Sequence, residues 1–426
     1  MESIGPQKEN VAEHGDSAQL PSGEEAKLPS PESTELPAEL MFDPDMNPTY
    51  EMYLQKTTDI PEQLLEPKYL SNNLFENVVL ASYARSGSAF IRKYLGEITG
   101  VITGVDNDKS NPTSSQDPND LGLNGKEVVD DKVWIVKTHS PGQSSSHKFN
   151  VNKCVLLVRN PLDAIISLYN LMATRRHDTT ITEEDFEKNR SCFQEFFSQA
   201  VYLWKNFQSF WLEEPKIPTY IVRFEDLLSD RKNTLLDLFR FLLNEKDLEG
   251  TLIEALIEHH TDPKEAKQVY KPRKGKANAN KQYYTESQIK ELKREAGQML
   301  KRLGYVKEGT DPTNKTGYYS DDEDIEFSVE NQWEKFERNG EEVEVNTRHN
   351  YKELNEIMLD KVCTDKYKDS VKELSGLSSV ELNCPGDFIT KKSERHPDGI
   401  QPMRIIRKLI GTVDIVLPDG TIQKAV

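Results

Sequence analysis

Short apolar runs and longer stretches of helical spacing alternate from Asn77 onward. Val78-Val79-Leu80-Ala81 is too short for a helix and is bounded by loop-like residues, which predicts a buried strand. Residues Ala89 to Leu95 have the apolar spacing of an amphipathic helix, with an end near Gly100. Two further apolar runs, Val133–Val136 and Cys154–Val158, predict strands, and a helix opens after Asn160 with Pro161 near its first turn. An aromatic-rich helix follows over about 191–211, then a strand over 219–222 and a helix from Glu225-Asp226 through Phe241. Helical spacing recurs at about 249–259 and 285–302, the second entered through a Thr285 N-cap. Strands alternating with helices predict an α/β fold, a central parallel sheet with helices on both faces.

The flanks are different. Residues 1–40 are rich in Glu, Pro and Ser and nearly lack aromatics, so they bury too little apolar surface to offset the cost of ordering and are expected to be disordered. Residues 105–131 read as a long loop. Beyond Tyr305 the chain turns acidic through about residue 345, most densely at Ser320–Asp324, and alternation around Asp419-Gly420 predicts a hairpin over 413–422. The formal net charge of −18 argues against nucleic acid or an anionic membrane as partner, while leaving room for a local basic pocket. Cys154, Cys192, Cys363 and Cys384 have neither metal-ligand spacing nor the pattern of a disulfide framework. The first residues carry no apolar leader and no later run reaches membrane-span length, so a cytoplasmic protein is expected.

Four stretches carry chemistry. Tyr83-Ala84-Arg85-Ser86-Gly87-Ser88 lies between a strand and a helix, where free backbone N–H groups and a positive dipole end face an anion. An ordinary strand-to-helix turn uses the same residue types. The cation precedes the glycine, so the stretch is not a nucleoside-triphosphate P-loop. Lys137-Thr138-His139-Ser140-Pro141 ends a strand, where open α/β sheets bind ligands. His139 has a pKa suited to general-base work, against the blander reading of a loop histidine. Arg159-Asn160-Pro161 leads to Ser167 two helical turns on, a pair able to hold a phosphate or simply a surface cation and a helix serine. Lys271–Lys276 is the densest basic run in the chain, either a solvated loop or a phosphate-capturing one.

In this order the four stretches resemble the sulfotransferase superfamily, which uses 3′-phosphoadenosine 5′-phosphosulfate (PAPS) and has a P-loop-like fold. Y-A-R-S-G-S resembles its 5′-phosphosulfate loop, usually K-S-G-T; V-K-T-H-S-P resembles the strand with the catalytic histidine; V-R-N-P-L-D-A-I-I-S matches the 3′-phosphate motif; R-K-G matches the closing loop. The resemblance spans about residues 75–305 and is nearest in wording to the WSC-domain-containing sulfotransferases, without their Cys-rich module. It implies that Arg85, Ser86, Gly87 and Ser88 hold the phosphosulfate, and that Arg159, Ser167, Arg273, Lys274 and Gly275 hold the 3′-phosphate. Phe90 and Phe224 fall at adenine-contacting positions. His139 becomes the base that deprotonates an acceptor hydroxyl, with Lys137 and Arg85 neutralising the leaving oxygen, PAP as the product and no metal required. Four departures stand out: Arg85 replaces the usual Lys, Ala89 lacks a hydroxyl, Phe224 stands where members often have an adenine-contacting Tyr, and the segment before Arg273 lacks the family's adenine contacts. The implied organisation is a disordered 1–40, a sulfotransferase domain over 41–305 and an acidic linker and extension over 306–426. A P-loop kinase or NTPase and a PAP-binding protein without catalysis remain alternatives.

Overall fold

The computed structural model describes residues 47–106, 123–140, 149–174, 179–213, 217–262, 280–306, 333–338, 341–346, 350–372, 380–381, 414–416 and 422–424. The described residues all fall within one compact unit, Asp45–Val426, and the segment expected to be disordered, residues 1–40, lies outside them. So do the acidic run at Ser320–Asp324 and the basic run at Lys271–Lys276.

Five strands build the central sheet: β1 (Val78–Ser82), β2 (Gly104–Val105), β3 (Ile135–Thr138), β5 (Lys153–Val158) and β6 (Thr219–Arg223). Their order is β2-β3-β1-β5-β6 and every pairing is parallel. A two-residue β4 (Asn150–Val151) precedes β5. The chain leaves β1 toward one edge and returns to its other side at β5, which makes the carboxyl ends around β1 a topological switch point.

Strand pleating divides the core. Val79, Ala81, Cys154, Leu156, Val158 and Ile221 face α3 (Pro161–Thr174), α5 (Arg190–Glu213) and α9 (Glu286–Arg302). Val78, Leu80, Val155, Leu157, Tyr220 and Val222 face α2 (Ser88–Thr99), α7 (Arg231–Leu243) and α8 (Leu252–Thr261), with α1 (Tyr50–Leu54) packed alongside. Burial on both faces explains why the strands read as unbroken apolar runs. In α2 the buried Phe90, Ile91, Tyr94, Leu95 and Ile98 follow the helical repeat. The helix stops at Gly100 in the left-handed region, φ 66°, as the sequence predicted. Buried Phe193, Phe196, Phe197, Trp204, Phe207 and Trp211 make α5 the aromatic keel of its face.

Two elements differ from the sequence reading. The third core strand runs Ile135–Thr138, two residues later than the apolar run, because Val133 is still held in a turn by its N–H to the Asp130 carbonyl. The helix expected from Glu225 to Phe241 is two, α6 (Phe224–Ser229) and α7, broken at Asp230, whose side chain caps the second by accepting from Asn233 N–H. A short α4 (Glu183–Lys188), capped by Thr182, was not anticipated.

The extension contributes α10 (Tyr351–Val362) and α11 (Asp365–Lys372), both packed on the core. The Asn355 amide accepts from Ile221 N–H at 2.7 Å and donates to Ile221 C=O at 2.8 Å, pairing with the exposed backbone of edge strand β6 as a further strand would. Three small strand pairs complete the described chain: β7 (Trp333–Arg338) with β8 (Glu341–Asn346), β4 with β9 (Val380–Glu381), and β10 (Asp414–Val416) with β11 (Ile422–Lys424). The last is the hairpin expected around Asp419-Gly420. Among the described residues no helix is long and apolar enough to cross a membrane.

Candidate active site

The carboxyl ends of β1, β3 and β5 bring three of the four motifs together. After β1 the chain turns tightly, Ser86 N–H donating to the Tyr83 carbonyl at 3.1 Å, with Arg85 at φ 69° and Gly87 at φ 99°. A left-handed arginine is uncommon and is held only by a structure that over-determines it. Gly87 also sits against the Phe224 ring; a Cβ there would lie 2.4 Å from it, so glycine is required on two counts. Gly87 is the N-cap of α2 and provides no side-chain cap, leaving the first N–H groups of the helix facing the turn. Ser86 Oγ is buried and has no hydrogen-bond partner among the described residues.

Arg85 is tied to the third motif from two directions. Its Nε donates to Ser167 Oγ at 3.0 Å, and its carbonyl accepts from Arg159 Nη1 at 2.8 Å. Arg159 lies over the Phe224 ring, 4.9 Å from its centroid, while its own Nε is buried with no hydrogen-bond partner among the described residues. Phe90 meets Phe224 edge-on at 5.9 Å and is itself buried against Tyr94. Ser88 is the first residue of α2. Arg273, Lys274 and Gly275, from the fourth motif, lie outside the described residues.

His139 follows β3, partly exposed, with Nδ1 2.6 Å from the Ser82 carbonyl and 3.3 Å from Ser82 Oγ. A carbonyl only accepts, so this contact assigns the proton to Nδ1 and leaves Nε2 with a free lone pair. Burial, then the Lys137 ammonium, hold the imidazole well below its ordinary range, against the raising effect of the Ser82 carbonyl. Lys137 is buried, and desolvation lowers it to about 7; Asp106 works in the opposite direction, and Arg92 reinforces the lowering. Asp106 adjoins β2 and is wired to the same strand end: its N–H donates to the Lys137 carbonyl at 3.2 Å, and its Oδ2 accepts from Thr138 Oγ1 at 2.5 Å.

Sequence reasoning missed the supports. Trp204 and Trp211 read as core residues of an aromatic helix, yet each buried indole N–H finds a strand end: Trp204 donates to the Arg159 carbonyl at 3.2 Å and Trp211 to the Ser140 carbonyl at 2.9 Å. Glu225 Oε1 accepts from Asn160 N–H at 2.9 Å, fixing the backbone next to Arg159. The seven-residue spacing of the two tryptophans, two helical turns, was the available signal.

A model of the sulfotransferase domain matches residues 75–304. The chain belongs to the sulfotransferase domain family. Within it, the chain is 24% identical over 173 residues to the WSCD family member AAEL009094 of Aedes aegypti, covering 40% of this chain and 52% of that protein. It is 27% identical over 173 residues to the WSCD family member CG9164 of Drosophila melanogaster, covering 39% and 51%. The chain thus spans about half the length of the curated relatives it matches, in keeping with the motif wording that pointed to WSC-domain sulfotransferases. Mouse sulfotransferase SULT7A1, solved with PAP, aligns at 15% identity over 58% of this chain and 88% of that one, with a TM-score of 0.34.

Proposed function

We propose that this sulfotransferase moves the sulfuryl group of PAPS to an acceptor hydroxyl by in-line displacement, with His139 as general base. PAPS supplies the activated sulfuryl group and leaves as PAP. His139 carries the proposal: its Nδ1 is pinned to the Ser82 carbonyl at 2.6 Å, so Nε2 is a neutral proton acceptor at a strand end beside two cations. Arg85, Ser86, Gly87 and Ser88 hold the phosphosulfate. The orphaned Ser86 Oγ and the uncapped start of α2 are unmet hydrogen-bonding groups that suit an anion. Arg159, with its free Nε, and Ser167 hold the 3′-phosphate, helped by Arg273, Lys274 and Gly275; Phe224 and Phe90 wall the adenine side. Lys137 and Arg85 neutralise charge growing on the leaving oxygen, an electrostatic contribution that is commonly the largest in such reactions.

Selectivity for the 3′-phosphate tests this reading. PAP is expected to bind far better than AMP by calorimetry. A charge-assisted contact is worth about 1.5–3 kcal/mol, so Arg159→Ala weakens PAP by roughly tenfold or more and leaves AMP nearly unchanged. Equal losses for both nucleotides would make Arg159 a structural residue.

A further inference from the structure

The stretch that supports Arg159 is gripped from outside the matched domain. Three successive residues at the β6–α6 junction each have one task. Phe224 lies under the Arg159 guanidinium at 4.9 Å, and Glu225 accepts from Asn160 N–H at 2.9 Å. Arg223, 2% exposed, anchors both. Its guanidinium sits between two tyrosine rings, 4.6 Å from the Tyr305 centroid and 5.0 Å from that of Tyr351, and its Nη1 donates to the Gly304 carbonyl at 3.0 Å. The tyrosines close the circuit: Tyr305 OH donates to Glu225 Oε2 at 2.9 Å and Tyr351 OH to Asp226 Oδ2 at 3.0 Å. Gly304 leaves no room for a side chain; a Cβ would lie 2.7 Å from the Tyr351 ring. Tyr351 begins α10, beyond the end of the domain match at residue 304.

We propose that Tyr351 is a positioning residue for the nucleotide site, through which the C-terminal extension holds Arg159 in its 3′-phosphate-binding pose. The proposal rests on the reading of Arg159 given above. Tyr351 acts on the turn that carries Phe224 and Glu225, and those two residues fix the Arg159 guanidinium and the backbone beside it. Loosening the turn therefore costs the contact that distinguishes PAP from AMP, more than the contacts common to both. Helix α10 is placed for this independently, by the Asn355 pairing with Ile221 and a capping box between Asn350 and Glu353.

The test compares PAP and AMP affinities by calorimetry in the full chain. Tyr351→Phe keeps the ring on Arg223 and removes the Asp226 bond; Tyr351→Ala removes both. Ile357→Ala, buried on the same helix away from this circuit, reproduces a loss of stability without touching it. Mutations along packed networks shift coupling by roughly two- to thirtyfold, so the PAP-to-AMP affinity ratio is expected to fall within that range in Tyr351→Ala, by less in Tyr351→Phe, and to hold in Ile357→Ala. An unchanged ratio in both Tyr351 variants, or an equal fall in Ile357→Ala, overturns the proposal. Arg159→Ala, measured in parallel, separates the two failures: if it also leaves the ratio unchanged, the 3′-phosphate reading itself is wrong, whereas if it alone lowers the ratio, only the role of Tyr351 is lost.

Discussion

At the scale of residues, the role proposed for Lys137 makes its charge state the variable to test. Burial lowers its pKa to about 7, and the nearby Asp106 carboxylate limits the fall. In the proposed mechanism Lys137 must be protonated to neutralise a leaving oxygen, so kcat/KM, which reports the free enzyme, is expected to decline as pH rises through about 7. His139 titrates well below the ordinary imidazole range, so it remains a competent base on the acidic side of that limb. Asp106→Asn removes a charge that favours the ammonium, and the alkaline limb moves to lower pH. The variant loses activity at neutral pH and recovers toward wild type as the buffer is made more acidic, because protons then restore the charge. A pH-rate profile lowered uniformly, without a shifted limb, would assign Asp106 a structural role through Thr138. The charges facing Lys137 here are Asp106 at the end of β2 and Arg92 on α2, with His139 on its own strand end. The motifs made Lys137, His139, Arg85 and Arg159 legible in the sequence as candidates. Asp106 was not, because a lone Asp opening a polar loop carries no signal until β2 pairs with β3 and sets Val105 opposite Lys137.

Elements were legible where burial makes a pattern. β1, β5 and β6 are apolar through their middles, with polar residues only at their ends, and were read within a residue of those ends. β3 was misplaced because its last two residues, Lys137 and Thr138, are polar and buried, so the hydrophobic signal stops where the chemistry starts. Helix α10 was missed although Asn350 and Glu353 spell a capping box ahead of Leu354 and Ile357. The acidic stretch before it masked the change to helical spacing. Helix α11 depends on a buried ion pair no pattern reveals. Lys153 Nζ lies 2.6 Å from Glu76 Oε2, both side chains fully buried at the amino ends of β5 and β1. Tyr367 OH donates to Glu76 Oε1 at 2.6 Å, Asn244 Nδ2 donates to Oε2 at 2.9 Å, and Lys153 also donates to the Phe241 carbonyl at 3.0 Å. Removing one partner leaves the other charge buried and unpaired, so Lys153→Met is expected to cost about 3–5 kcal/mol in chemical denaturation. Adding Glu76→Leu should return much of that, since a well-packed apolar pair escapes the desolvation cost. A double variant no more stable than the single would mean that packing around Tyr367, rather than charge pairing, holds this end of the sheet.

Taken as a whole molecule, the fold sets the two halves of the proposed site about one switch point: Arg159 and Ser167 after β5, Lys137 near the end of β3 with His139 just beyond it, and the Arg85 turn between them after β1. On the proposed reading, that arrangement favours sulfuryl transfer over phosphoryl transfer. A kinase or NTPase needs Mg²⁺ bridging the β- and γ-phosphates, held by a P-loop hydroxyl and an acidic partner. Here β5 is followed directly by Arg159, a cation that repels Mg²⁺ and attracts phosphate, and the loop cation precedes its glycine. The most direct test incubates the full chain with PAPS radiolabelled in the sulfuryl group and a cell extract, with EDTA present, alongside an ATPase assay in Mg²⁺. The account predicts labelled product in chelator, none from His139→Ala, and no ATP hydrolysis. Label transfer that needs Mg²⁺, together with ATP turnover, would contradict it.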